Sequence, residues 1–215
     1  MSQQETFQRI HSTGIVAVIR AERGEQLVPV AHALVEGGVD VLEVTYTVPN
    51  ATEVIRQVTQ ALGDRALIGA GTVLDQQTAE EAIRAGARFI VSPCVNRDVI
   101  RLCRRANILV APGAFTPTEV VSAWDAGADV VKIFPSDAAG PKHLKALRAP
   151  LPHIPMMPTG GVSLENAADV IRAGACALGV GGSLVTKSAV ETGDTRTITN
   201  LAQQFVDVVR AARSE

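Results

Sequence analysis

One pattern recurs four times along this chain. A helical stretch is followed by Gly, a small or apolar residue, one more residue, and then a short run of Val, Ile and Leu. It reads ALVEGGVDVLEV at 33–44, EAIRAGARFIVS at 81–92, SAWDAGADVVKI at 122–133 and VIRAGACALGV at 170–180. Each Gly stands where the residue after a helix must turn left-handed. Each following run is short and branched, as a strand covered on both faces must be. Helix, Gly and strand in repetition mean βα units and a parallel sheet.

Filling the gaps predicts eight strands: Ile15–Ile19, Val41–Val44, Leu67–Gly69, Phe89–Val91, Leu109–Val110, Val130–Phe134, Met156–Pro158 and Ala177–Val180. Helices fall between them, with a short one over Glu5–Ser12 ahead of the first strand. Thr116 to Glu119 has capping-box spacing with Pro117 at the first helical position, and Thr78 and Ser163 are expected N-caps. Eight units in 215 residues predict an α/β fold of the (β/α)8 TIM-barrel kind, one domain over 1–215. A doubly wound open sheet is the competing arrangement. The first strand is not followed by GxGxxG, which argues against a dinucleotide-binding version.

Composition narrows the partners. The chain is 47% hydrophobic but only 3% aromatic, so its core is aliphatic. A formal charge of -2 supplies no basic field for nucleic acid. No run of about 18 apolar residues is present, so no membrane span is expected. Three scattered Cys form neither a disulfide framework nor a CxxC zinc signature, and the N-terminus has no apolar signal core. The expected location is cytoplasmic. The four His lack HxH and HExxH spacing and sit at no strand's carboxyl end, so no metal centre is expected.

In a barrel, chemistry sits at the carboxyl ends of the strands. There are only four Lys against sixteen Arg, and one of them, Lys132, lies in the apolar run VVKIF. Alternation puts it on one face with Val130 and Phe134. Burial disfavours an ammonium, which is how a lysine becomes a nucleophile toward carbonyls. The alternative is a strand-end lysine that snorkels to solvent. Glu43 is equally out of place in VLEVT. It is either half of a structural ion pair or a general acid and base for an imine-forming lysine. Two glycine clusters, Thr159-Gly160-Gly161-Val162-Ser163 and Gly179-Val180-Gly181-Gly182-Ser183, belong to the last two strands. Loops there often hold phosphate on backbone N–H groups. Thr72, Pro93 and Pro112-Gly113 read as pocket walls. Arg20 closes the first strand and either faces an anionic substrate group or is a solvated rim residue.

With these residues in hand, the chain resembles the 2-keto-3-deoxy-6-phosphogluconate aldolase family, whose bifunctional members also act on 4-hydroxy-2-oxoglutarate. The segments GGVDVLEVTYTVPNA, IGAGTVL, FIVSP, PGAFTPTE, VVKIFPSD, PTGGV and GVGGS carry the resemblance, from Ile15 to about Lys187. The resemblance implies a (β/α)8 barrel, a homotrimer, and chemistry without metal or cofactor. It implies Lys132 as the Schiff-base lysine and Glu43 as the proton-transfer carboxylate. Thr72 and Thr159 would hold the pyruvate carboxylate, with Pro93 and Phe134 as walls around the imine. Gly160, Gly161 and Ser183 would hold the phosphate, with Gly181 and Gly182 in the same loop. The implied partners are a phosphorylated keto acid and pyruvate. Thr47 stands where some members carry a carboxylate-binding Arg. Members with a similar EVT-aromatic-TVP segment have Arg at the end of the first strand, which Arg20 matches. The stretch KHLKALRAPLP also resembles 2-keto-3-deoxy-6-phosphogalactonate aldolases, which leaves the substrate epimer open. Two other readings remain: a phosphosugar isomerase or epimerase, and a non-catalytic barrel that binds a sugar phosphate.

Overall fold

The protein is described here by a computed structural model covering residues 1–214. Helix α1 (Gln3–Thr13) opens the chain, and nine strands follow: β1 (Ile15–Ile19), β2 (Val41–Thr45), β3 (Leu67–Gly71), β4 (Phe89–Val91), β5 (Leu109–Ala111), β6 (Gly113–Ala114), β7 (Val131–Ile133), β8 (Met156–Pro158) and β9 (Leu178–Val180). Between and after them run α2 (Leu27–Glu36), α3 (Ala51–Leu62), α4 (Gln76–Ala85), α5 (Arg97–Arg105), α6 (Pro117–Asp125), α7 (Gly140–Arg148), α8 (Ala167–Arg172), α9 (Lys187–Thr192) and α10 (Thr195–Ser214).

All strand pairs are parallel. They form a six-stranded sheet in the order β5-β4-β3-β2-β1-β9 and a three-stranded sheet in the order β6-β7-β8. The expected fifth strand, Leu109–Val110, lies within β5, but the extended stretch continues past Pro112 as β6, where a pocket wall was expected. Pro112 divides it because proline has no N–H to give to the ladder, yet its carbonyl still accepts from the Lys132 N–H at 2.9 Å. On the far side the sheets meet through an isolated parallel bridge between Thr159 and Gly179.

The two faces of these strands bury different partners. Outward residues such as Ile15, Leu42, Ile68, Ile90, Val131 and Leu178 pack with the helices in the main core. Inward residues, among them Val16, Val41, Leu67, Phe89, Leu109, Val130 and Met157, form a second cluster. Ile10 of α1 joins that cluster with Phe7 beside it, so α1 covers the amino ends of the strands. Truncating a fully buried member such as Leu34 or Leu42 to Ala costs about 2–5 kcal/mol.

The repeated glycines behave as their position requires. Gly38, Gly86, Gly127 and Gly174 all have φ between 90° and 112°, a conformation any Cβ would strain. Helix α6 carries the expected capping box between Thr116 and Glu119. Two expected caps are corrected. Asp75, not Thr78, caps α4, because its carboxylate accepts the Thr78 N–H. Asn166, not Ser163, precedes α8, and its side chain accepts the Ser163 N–H at 2.9 Å. The 20-residue α10 carries no Gly-strand signature; it packs Ala202 so closely on α2 that a Cβ at Gly37 would overlap it. Among the described residues, no helix is long and apolar enough to cross a membrane.

Candidate active site

Alternation along β7 places Lys132 inward, and its side chain is buried, with 5% exposure. Its neighbours are Gly113 of β6 and Met157 of β8. Lys132 Nζ lies 5.0 Å from the centroid of the Phe134 ring. The ring face attracts a cation and walls the amine on one side. Lys142, Lys145 and Lys187 are exposed, so Lys132 is the one buried lysine.

Glu43 faces inward from β2, paired with Val18 of β1 and Gly69 of β3, and is 1% exposed. Both of its carboxylate oxygens are buried without a hydrogen-bond partner. A buried, unsatisfied carboxylate is costly and calls for a chemical explanation. It makes no ion pair with Lys132 among the described residues.

Two adjoining cavities, each of about 300 Å³, share Val18, Arg20 and Gly182, and neither is lined by Lys132 or Glu43. The first gathers Phe134, Thr159, Gly160, Gly161, Gly181 and Ser183 around Arg20. The second runs past Thr47 toward Lys187. Gly160 and Gly161 have φ of 94° and 69°, so consecutive N–H groups turn in the manner of an anion-binding nest. The N–H groups of Gly161, Gly182 and Ser183 donate to no backbone acceptor among the described residues. The Ser183 hydroxyl donates to the Val162 carbonyl at 2.5 Å, so its N–H is the group free to meet an anion. Arg20 makes no ion pair among the described residues and reaches over Gly181, while Thr47 shares a 2.7 Å hydrogen bond with Thr45.

Thr72 and Pro93 line neither cavity; they stand at the ends of β3 and β4. Thr72 has φ of 59°, a real outlier for a β-branched residue, and such strain gathers at functional positions. Composition and spacing gave no hint of it. Val18 was missed, although alternation with Val16 and Arg20 places it on the inner face. Among the described residues, no group of three or more His, Cys, Asp or Glu side chains is placed to hold a metal.

The geometry defines a parallel α/β protein with cavities at the carboxyl ends of its strands and a buried lysine and carboxylate on the inner faces of β7 and β2. The chain belongs to the KDPG and KHG aldolase family, whose sequence profile matches residues 7–201. The 2-dehydro-3-deoxy-phosphogluconate aldolase of Dickeya dadantii is 41% identical over 194 residues, covering 89% of this chain and 90% of that one. The 2-dehydro-3-deoxy-6-phosphogalactonate aldolase of Escherichia coli K12 is 36% identical over 200 residues, covering 93% and 94%. A solved structure of the KDPG aldolase from Legionella pneumophila, with pyruvate captured as a covalent carbinolamine intermediate, superposes with a TM-score of 0.86 at 30% identity, covering 92% of this chain and 96% of that one.

Proposed function

We propose that this protein is a class I aldolase that cleaves 2-dehydro-3-deoxy-6-phosphogluconate to pyruvate and glyceraldehyde 3-phosphate. The observation that carries the reading is the placement of buried Lys132 and of the unsatisfied carboxylate of Glu43 on the same inner face of the strands, in a family whose named relatives are such aldolases. In this reading the two sheets close into one (β/α)8 barrel and the whole chain is a single domain. The homotrimer and the cytoplasmic location come from the resemblance and the composition.

The Lys132 amine adds to the C2 keto carbon, and loss of water gives a protonated imine. Glu43 takes the C4 hydroxyl proton, the C3–C4 bond breaks, and its electron pair moves into the imine to leave an enamine. Glyceraldehyde 3-phosphate departs. Glu43 returns the proton to C3, and water hydrolyses the imine to pyruvate and the free amine. Dividing one hard step into easier ones is the gain from covalent catalysis, and the imine is the electron sink, so the scheme asks for no metal or cofactor. Thr72, Thr159 and Arg20 hold the carboxylate end, with Thr47 beside Arg20. Pro93 and Phe134 wall the imine. Gly160, Gly161, Gly181, Gly182 and Ser183 hold the phosphate, whose remote binding energy orients the reacting bond.

The deciding assay measures pyruvate release from the gluconate and galactonate phospho-keto acids, with 4-hydroxy-2-oxoglutarate alongside. The proposal expects the gluconate compound to be cleaved with the highest kcat/KM. Preference for the galactonate compound would favour the epimer reading suggested by the Escherichia coli relative. Full turnover by Lys132→Ala would favour an isomerase or epimerase, and tight binding without pyruvate release would favour a sensor.

A further inference from the structure

Glu43 is held by an absence. In the β2–β3 register Glu43 lies beside Gly69, and Thr45 lies beside Gly71. Yet a Cβ built on Gly71 would overlap Oε1, Cδ and Cγ of Glu43. The Glu43 side chain therefore leans one row toward the carboxyl ends of the strands and lays its carboxylate against the bare Cα of Gly71. Side chains in strands do lean along the strand direction. Gly71 is not among the glycines with positive φ, so backbone freedom does not explain it. Gly69, two residues earlier, makes room for something else: a Cβ there would overlap the Phe89 ring.

We propose that Gly71 is a positioning residue for the reaction, whose missing side chain fixes where the Glu43 carboxylate sits relative to the imine on Lys132. This rests on the aldolase reading. Any side chain at 71 displaces the carboxylate. The strand itself is tied down: the Gly71 carbonyl accepts the Tyr46 N–H at 2.8 Å, so Gly71 cannot withdraw without breaking the β2–β3 edge. A misplacement of about 1 Å is enough to cost roughly 100-fold in rate.

The test separates imine formation from proton transfer. With pyruvate alone, borohydride trapping reports the imine on Lys132. Exchange of the pyruvate methyl hydrogens for solvent deuterium reports removal of a C3 proton to give the enamine and its return. In Gly71→Ala, exchange and kcat should both fall about 100-fold, with trapping and KM within about threefold of the parent. In a Glu43→Asp background the outermost overlapping atoms are withdrawn and only the Cγ position stays close to the added methyl, so the same substitution should cost clearly less, about tenfold or below rather than about 100-fold. This non-additivity is what contact between the two positions produces. Equal costs in both backgrounds, or trapping lost in step with exchange, would overturn the proposal. If Gly71→Ala fails to fold, a folded Glu43→Ala/Gly71→Ala protein, in which the three overlapping atoms of Glu43 are gone, supports it, and an unfolded double variant overturns it. Failure of the aldolase reading is distinct: Glu43→Gln would then retain exchange, or Lys132 would not trap.

Discussion

Thr159 and Gly179 face each other across the seam between the two sheets. They form its isolated bridge, and Thr159 Oγ1 fills the volume that a side chain at 179 would need. One contact thus joins the sheets and seats a residue proposed to hold the substrate. Gly179→Ala overpacks this point, and such changes cost about 1–3 kcal/mol. For a chain of this length that lowers Tm by roughly 2–4 °C per kcal/mol. Scanning calorimetry checks it; an unchanged Tm contradicts the packing described.

Gly161 and Ser183 should separate in their effects. Gly161 has φ of 69°, and a Cβ there would overlap Asp137. Gly161→Ala is expected to raise KM for the phosphorylated substrate by about 100-fold, at roughly 1.4 kcal/mol per tenfold. Cleavage of 4-hydroxy-2-oxoglutarate, which has no phosphate, should change less than about threefold on the same scale. Ser183→Ala keeps the backbone N–H and removes the hydrogen bond to Val162, so its KM should rise less than that of Gly161→Ala. Steady-state kinetics on both substrates decides.

Arg20 lines both cavities with no ion-pair partner among the described residues. A hydrogen bond to a charged group contributes about 1.5–3 kcal/mol, so Arg20→Ala should lower kcat/KM by about 10- to 150-fold. Thr47 lines one of the same cavities. Adding Thr47→Arg to Arg20→Ala should restore at least half of the lost free energy. No recovery would mean that the two positions do not serve the same substrate group.

Burial pushes the thiols of Cys103 and Cys176 up to about 12, while Cys94 is exposed. At neutral pH a thiol reagent should label exposed Cys94 rapidly in the native protein, half-buried Cys176 slowly, and buried Cys103 only after unfolding. The sign of the pH effect follows from linkage. Both thiols stay protonated in the folded state to higher pH than in the unfolded chain, so above about pH 9 the unfolded state binds fewer protons. Stability should fall as pH rises from about 9 toward 12, by at most about 1.4 kcal/mol per pH unit for each thiol. Denaturant melts across that range measure the slope, and a flat profile contradicts the burial.

Much of this molecule is legible in its sequence because the βα repeat leaves a local mark at each unit. The strands Ile15–Ile19, Phe89–Val91 and Met156–Pro158 fall where the branched runs predict. The left-handed glycines after the helices follow from the same repeat. Lys132 and Glu43 stand out because charge inside an apolar alternation is expensive. What stays hidden depends on partners distant in sequence. The break at Pro112 depends on how β7 pairs, and the cap at Asp75 depends on which side chain reaches the Thr78 N–H first. The strain at Thr72 and the seat at Gly71 exist only once β2 lies beside β3.

The proposed chemistry passes through an imine on Lys132. The protein is incubated with pyruvate and borohydride, and its peptides are mapped by mass. One reduced pyruvate adduct on Lys132 is expected, with loss of activity in proportion. Active protein with Lys132 unmodified, or an adduct on Lys142, Lys145 or Lys187 instead, would contradict it.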